Sequence, residues 1–460
     1  MDKEIKRCYI LLVKAGKGKY DLYEKTSSPI NGLGKGNKES MDHDQKMKWF
    51  RDARYGMFIH WGLYAIPAGA YQGVRYPFGS EWIMKNAHIP LAEYKKYAEQ
   101  FNPTLFSAKE WVHLAAEAGM KYLVFTAKHH DGFAMYHSRC SNYNIVDATP
   151  FGRDVVRELA EECKRQGIVF CLYYSQYQDW EHPNGYGNDW DRDAIKKDFP
   201  IYFEQRVKPQ IRELLTQYGP VGLLWFDTPY DMEIEYCREL VDYVHTLQPD
   251  CIINGRVGYY LGDYRQMGDN SIPAAAFPED WETPMTLNDT WGYKDYDQNF
   301  KSPADVIKML VNVVSKNGNL LLNVGPDAQG NIPEKSAEIL RAVGKWLKVN
   351  GESVYGTTVY PALPYELDWG KFTYKDHKMY MHVFQWPITP YEILVYGFKT
   401  KVKKAYLLSD PKKMPLPVAQ SFEIARDQHR LRIRLPEQQI DPIDTVVVLE
   451  LDGEPEVYNT

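Results

Sequence analysis

Between Trp49 and about Asn350 the hydrophobic positions fall into two alternating textures. The first is the short continuous apolar run: Tyr55–Trp61, Lys121–Ala127, Ile168–Ser175, Val221–Asp227, Cys251–Asn254 and Asn319–Val324. Such runs predict strands buried on both faces, as in a parallel sheet. The second has apolar residues every three or four positions: Ser107–Gly119, Asp154–Gln166, Pro200–Tyr218, Met232–Leu247, Ser302–Lys316 and Pro333–Asn350. These predict helices, and the punctuation agrees. Ser107 with Glu110 three residues on reads as a capping box, Gly119 and Gly167 as stops, and Pro303 as a first helical residue.

Repeated strand–helix alternation predicts a (β/α)8-like barrel. A doubly wound sheet is the competing arrangement, but no glycine-rich phosphate loop follows the first strand. Residues 256–300 carry no clear helical period, so the sixth strand is expected to be irregular. After residue 355 the texture changes. Lys378–Phe384, Glu392–Tyr396, Ala405–Leu408, Leu431–Leu435 and Thr445–Leu451 are short apolar stretches divided by Pro, Gly, Asp and Lys. Leu431, Ile433 and Leu435 alternate with Arg432 and Arg434, the mark of a half-exposed strand. This predicts a C-terminal antiparallel β-sandwich. The expected organisation is a polar leader over 1–44, a barrel over 45–355 and a sandwich over 356–460.

Charge and composition narrow the function. A net charge of −6 argues against nucleic acid, which needs a basic face. No apolar run approaches the roughly 18–20 residues of a membrane span. The N-terminus has only Tyr9–Val13 as an apolar run, too short for a signal-peptide core. The chain as written is therefore expected in the cytoplasm, a secreted parent with a replaced leader being compatible. The cysteines show no CxxC spacing and read as buried free thiols. Aromatic residues are plentiful, with 35 Tyr and 12 Trp, a composition that suits sugar or ligand walls as well as core.

Catalytic groups of a barrel sit at the C-terminal ends of its strands. Those ends carry His60-Trp61, His129-His130-Asp131, Tyr173-Tyr174-Ser175, Trp225-Phe226-Asp227 and Asn254-Gly255-Arg256. Asp227, closing an apolar strand, is the sharpest candidate; a surface cap of the next turn is the plainer reading. Adjacent residues on a strand face opposite ways, so His129 and His130 do not make a metal pair by themselves. Neutral imidazoles suit hydroxyl groups, each offering one donor and one acceptor. A second carboxylate comes from Asp263, Asp269, Glu279, Asp280 or Glu282, or from Glu81 beside Trp82. Glu282 follows Trp281, and partial desolvation by an indole raises a carboxyl pKa and keeps it protonated as an acid. Two carboxyls, three histidines, an arginine and several tryptophans, with no metal set, point to glycoside hydrolysis.

Several stretches together resemble the family 29 α-L-fucosidases. They are Trp49 to Gly62 (WFRDARYGMFIHWG), Thr126 to Phe133 (TAKHHDGF), Tyr173-Tyr-Ser175, Leu224-Trp-Phe-Asp227 and Asn317 to Pro326 (NGNLLLNVGP). The resemblance runs from about 47 to 355, and the sandwich fits the family layout. It implies a retaining exo-hydrolase releasing L-fucose from fucosylated glycans through a covalent fucosyl-enzyme, with no metal and no cofactor. It also implies Asp227 as nucleophile, His60, His129, His130, Trp225 and Arg256 as substrate-gripping residues, and Glu81-Trp82 as a contacting pair. Of the paired tyrosines, Tyr174 is expected to line the site. The family has no single motif for the acid/base. Trp281-Glu-Thr-Pro284 resembles one subgroup's pattern, so Glu282 is expected in that role, with Glu279 second. A fucose-binding barrel that has lost catalysis is the alternative reading. A homo-oligomer is expected; Trp386, at a strand end in the sandwich, reads as local packing or, if exposed, as a contact residue.

Overall fold

The computed structural model describes residues 36–192, 197–359 and 367–457. The chain divides into two compact units, Met1–Lys46 and Met47–Thr460, and both barrel and sandwich belong to the second. The expected leader lies outside the described residues as far as 35. A helix, Gly36–Ala53, then runs through the boundary expected at 44.

Eight parallel strands follow: β1 Tyr55–Ile59, β2 Tyr122–Lys128, β3 Val169–Tyr174, β4 Leu223–Phe226, β5 Ile252–Ile253, β6 Arg265–Gln266, β7 Trp281–Thr286 and β8 Gly318–Val324. Each neighbours the next, β1 pairs with β8, and an Asn254–Tyr264 bridge joins β5 to β6. The ring is thus closed, a (β/α)8 barrel. Two apolar layers result. Met57, Ile59, Leu123, Phe125, Leu172, Tyr174, Leu224 and Phe226 face the surrounding helices. Phe58, Tyr122, Val124, Cys171, Tyr173, Leu223, Trp225 and Leu321 fill the barrel, where Met47, Phe50 and Ala53 join them. Large rings need bare neighbours on the paired strand. A Cβ on Gly56 would lie 2.4 Å from the Tyr122 ring, and one on Gly318 2.3 Å from the Trp281 ring.

Helix ends agree with the capping signals. Ser107, Asp154 and Ser302 each accept a backbone N–H from the residue three further on, worth about 1 kcal/mol per cap. Gly167 takes the left-handed conformation, φ 72°. The helix expected over Pro200–Tyr218 contains a π-helical segment, Phe203–Val207. It adjoins Pro209, which cannot donate and whose ring crowds the preceding turn.

The irregular region is real, and it holds two strands that the pattern did not place. β6 has only two residues, and β7 covers Trp281–Thr286, a stretch to which the pattern assigned no element.

The C-terminal sheets are antiparallel. With β9 Gly370–Lys375, β10 Lys378–Val383, β11 Glu392–Tyr396, β12 Val402–Leu407, β13 Val418–Glu423, β14 Gln428–Arg434 and β15 Thr445–Leu451, their orders are β9-β10-β15-β12 and β11-β14-β13. Leu431 and Ile433 enter the shared core with Met381, Val395 and Leu449. β9 and β13 were not anticipated; β13 is largely exposed and weakly patterned. Trp386 packs against this core and donates its indole N–H to the Pro436 carbonyl, which is the local-packing reading.

Candidate active site

Asp227 is the first residue after β4, on the side of the strand that carries Trp225. Its backbone is held on both sides. The Asn254 side chain accepts from Phe226 N and donates to Phe226 O, and Gln176 accepts the Asp227 N–H at 2.9 Å. Its carboxylate accepts from Arg256 Nη1 on Oδ1 at 2.8 Å and from Tyr173 OH on Oδ2 at 2.9 Å. His130 Nε2 stands 3.5 Å from Oδ2. Burial by itself raises the pKa of Asp227, but Arg256 and His130 outweigh it and hold the group well below the carboxylate range. Asp227 is therefore ionised, with both carboxylate oxygens held in place at the cavity.

A cavity with about 380 Å³ of empty space opens beside it. Phe58, His60, Glu81, Trp82, His129, Tyr173, Trp225, Asp227, Thr228, Arg256, Asp269 and Trp291 line it. His60 Nδ1 bonds Asn323 Oδ1 at 2.7 Å, which makes Nδ1 the donor and leaves Nε2 as an acceptor. Burial lowers the His60 pKa to about 4, against the opposing pull of Asn323 and Asp227. His129 lies further below its usual range, through burial and then the neighbouring His130 and His60. Both are neutral near pH 7. His129 Nδ1 is buried with no partner, and an unpaired buried polar atom facing a cavity is a seat for a polar ligand. Glu81 accepts from Gly292 N at 2.9 Å, and burial raises its pKa.

The two histidines lie just past the last residue of β2, where strand alternation has ended. His129 stacks on Tyr173 at 5.4 Å, while His130 reaches Asp227. His129 lines the cavity, whereas His130, its Nδ1 bonded to Ser175 Oγ at 2.7 Å, touches Asp227 and is not part of the lining.

Two expectations need correction. Tyr174 faces outward and donates to Gln210 Oε1 at 2.8 Å among the helices; Tyr173 is the tyrosine of the cavity. The pairing Tyr173–Trp225 between β3 and β4 puts those two rings side by side. That register is not encoded in β3 itself, and a shift of one position exchanges the faces. Glu282 is the second residue of β7, at the wrong end of the strand for catalysis. It lies inside the barrel, fully buried and not part of the cavity wall. Trp225 Nε1 and Tyr122 OH donate to it at 2.8 Å, and Tyr264 OH at 3.2 Å. Burial does raise its pKa, to about 7, against those three bonds. Burial thus raises the Glu282 pKa as expected, but the side chain has no face on the cavity. Glu279 is exposed and pairs with Arg265, also away from the cavity.

Besides Glu81, one of the remaining candidates reaches the cavity, Asp269. It is half-exposed at the rim, and Arg256 Nη2 donates to its Oδ1. One guanidinium therefore holds both Asp227 and Asp269. Phe58, Trp291 and Thr228 complete the wall; no pattern in the sequence had singled them out.

An ionised carboxylate and a second carboxyl across one arginine, ringed by neutral imidazoles, form the apparatus of the barrel glycoside hydrolases. The α-L-fucosidase family model matches residues 26–352. A plasma α-L-fucosidase of Rattus norvegicus is 33% identical over 76% of this chain and 80% of its own. The α-L-fucosidase of Vibrio sp. strain EJY3 superimposes with a TM-score of 0.85, at 38% identity, over 90% of this chain and 74% of that one. A family 29 α-L-fucosidase of Bacteroides thetaiotaomicron, trapped as a covalent intermediate with 2-fluoro-fucosyl fluoride, matches with a TM-score of 0.80 at 31% identity, over 89% and 97%. The chain belongs to the family 29 α-L-fucosidases and is a glycoside hydrolase.

Proposed function

We propose that this enzyme is a retaining exo-α-L-fucosidase working by double displacement, with Asp227 as nucleophile and Asp269 as acid/base. The observation that carries the reading is the shared guanidinium, which sets an ionised nucleophile beside a second carboxyl at the cavity rim. In the first step an Asp227 oxygen bonds to the anomeric carbon. The glycosidic C–O bond breaks, and Asp269 gives its proton to the departing oxygen. In the second, Asp269 takes a proton from water, the water oxygen bonds to that carbon, and the ester to Asp227 breaks. The trapped intermediate of the Bacteroides relative supports a covalent route.

Asp269 is preferred to Glu81 by position. The sugar fills the cavity, so its leaving oxygen points to the mouth, where Asp269 lies; Glu81 is enclosed in the wall and suits a sugar hydroxyl. His60 and His129 supply further hydroxyl contacts. A site built on such bonds rejects sugars lacking them.

The test is release of nitrophenol from an aryl α-L-fucoside by wild type, Asp227→Ala, Asp269→Ala and Glu81→Ala, with and without azide. Asp227→Ala should yield β-fucosyl azide, opposite in configuration to the α-linked substrate, and Asp269→Ala should yield α-fucosyl azide, of the same configuration, because azide attacks the substrate directly in the first variant and the fucosyl-enzyme in the second. Rescue of Glu81→Ala in place of Asp269→Ala would reverse the assignment, and inverted fucose at early times by NMR would refute double displacement.

A further inference from the structure

The segment that follows the nucleophile is strained. Thr228 has φ 42° and Tyr230 φ 41°, values that β-branched and bulky residues rarely adopt. Strain of this kind persists where the surroundings impose it, and it gathers at ligand sites. Here the surroundings are visible. Gln178 Nε2 donates to Thr228 Oγ1 at 2.8 Å, and Trp180 Nε1 donates to Gln178 Oε1 at 3.3 Å. The result holds Tyr230 at the surface, 53% exposed, with its ring beside Tyr186 at 5.7 Å.

Tyr186 in turn stacks on Tyr177 at 4.8 Å and 27°. The two are locked by backbone bonds, Tyr186 N to Tyr177 O and Asp179 N to Tyr186 O, each 3.2 Å. A braced row of rings thus runs outward from the cavity wall at Thr228. The Asp227 charge reaches the Tyr230 phenol and, after burial, contributes to raising its pKa. None of these three tyrosines lines the cavity itself.

We propose that Tyr230 and Tyr186 form the leaving-group subsite, an aromatic platform for the pyranose ring to which fucose is attached. The proposal rests on the fucosidase reading above. The cavity takes one sugar, so whatever that sugar is bonded to must leave through the mouth. Its Thr228 side continues into rings already held in place. A rigid aromatic face suits the C–H face of a pyranose and loses little entropy on binding. Lys197 Nζ stands 5.5 Å from the Tyr186 ring centroid, which leaves the exposed Tyr230 ring as the uncharged part of the platform.

The test compares two substrates that share fucose but differ in what leaves: an α-L-fucosyl disaccharide and α-L-fucosyl fluoride, whose fluoride has no ring to stack. Tyr230→Gly removes the ring and suits the positive φ, so folding is preserved; Tyr186→Ala is the second variant, and Tyr230→Phe the conservative control. The ratio of kcat/KM for disaccharide over fluoride should fall about tenfold in Tyr230→Gly, chiefly through KM, and recover in Tyr230→Phe. An unchanged ratio, whether both rates hold or both fall together, overturns the platform. Wild type that fails on the fluoride as well would instead overturn the fucosidase reading beneath it.

Discussion

Glu282 offers the sharpest check on the geometry, because pattern and structure give it different work. Buried beneath Trp225, its pKa rises from 4.5 to about 7. At 1.36 kcal/mol per pH unit this is about 3 kcal/mol of differential stability. The sign follows from proton binding. Between pH 4.5 and 7 the folded state keeps a proton that the unfolded chain has lost. The stability associated with Glu282 is therefore fully present below pH 4.5 and is lost as pH rises through about 7. Glu282→Gln cannot titrate. Its amide oxygen still accepts from Trp225 and Tyr264, and its NH2 faces Tyr122, at a cost of about 1 kcal/mol if that hydroxyl must turn. Urea unfolding of both proteins from pH 4.5 to 8 should show the variant gaining about 3 kcal/mol on wild type across the range. Parallel curves would refute the buried, protonated Glu282. Glu282→Ala, leaving three donors unpaired, should be destabilised by several kcal/mol, at about 1–3 each and not additively. Azide should not restore its activity on an aryl fucoside; if it does, Glu282 is the acid/base and the positional argument fails.

Removing the Tyr173 hydroxyl takes one donor from Asp227, so Tyr173→Phe should lower kcat/KM about tenfold, while Tyr174→Phe should cost about 1 kcal/mol of stability and leave kinetics alone; reversed effects would show the two faces misassigned. In Arg256→Ala the desolvation of Asp227 is opposed mainly by His130. Its pKa then rises, and the acid limb of the pH profile of kcat/KM moves to higher pH; a limb that stays in place contradicts the ion pair. Gly318→Ala drives a methyl group into the Trp281 ring and should destabilise the fold by about 1–3 kcal/mol in thermal or urea unfolding, with no loss serving as disproof.

How much was legible depended on whether a feature is local. Continuous apolar runs showed β1 to β5 and β8 because burial on both faces leaves no polar position to interrupt them. Ser107, Asp154 and Ser302 announced their helices because a cap needs only a side chain and the next turn. Asp227 stood out as a charge at the end of such a run, and the motif resemblance supplied its partners. β6 and β7 did not stand out. Two residues carry no period, and β7 mixes Glu282, Thr283 and Pro284 into its six, because Trp225, Tyr122 and Tyr264 satisfy Glu282 inside the barrel and the Ser271 carbonyl accepts from Thr283.

The sequence alone therefore determined the repeated strand–helix build, the sandwich that follows it, the family and the place of the Asp227 carboxylate at a strand end. Those rest on periodicity, capping and short contiguous motifs. Tertiary structure decided which tyrosine faces the cavity, that Glu282 is a buried acceptor for Trp225, and that Asp269 shares Arg256 with Asp227. Each of these depends on strand register, or on side chains from separate strands converging at one end of the barrel. No stretch of chain contains that information by itself, because the interactions that set it join residues far apart in sequence.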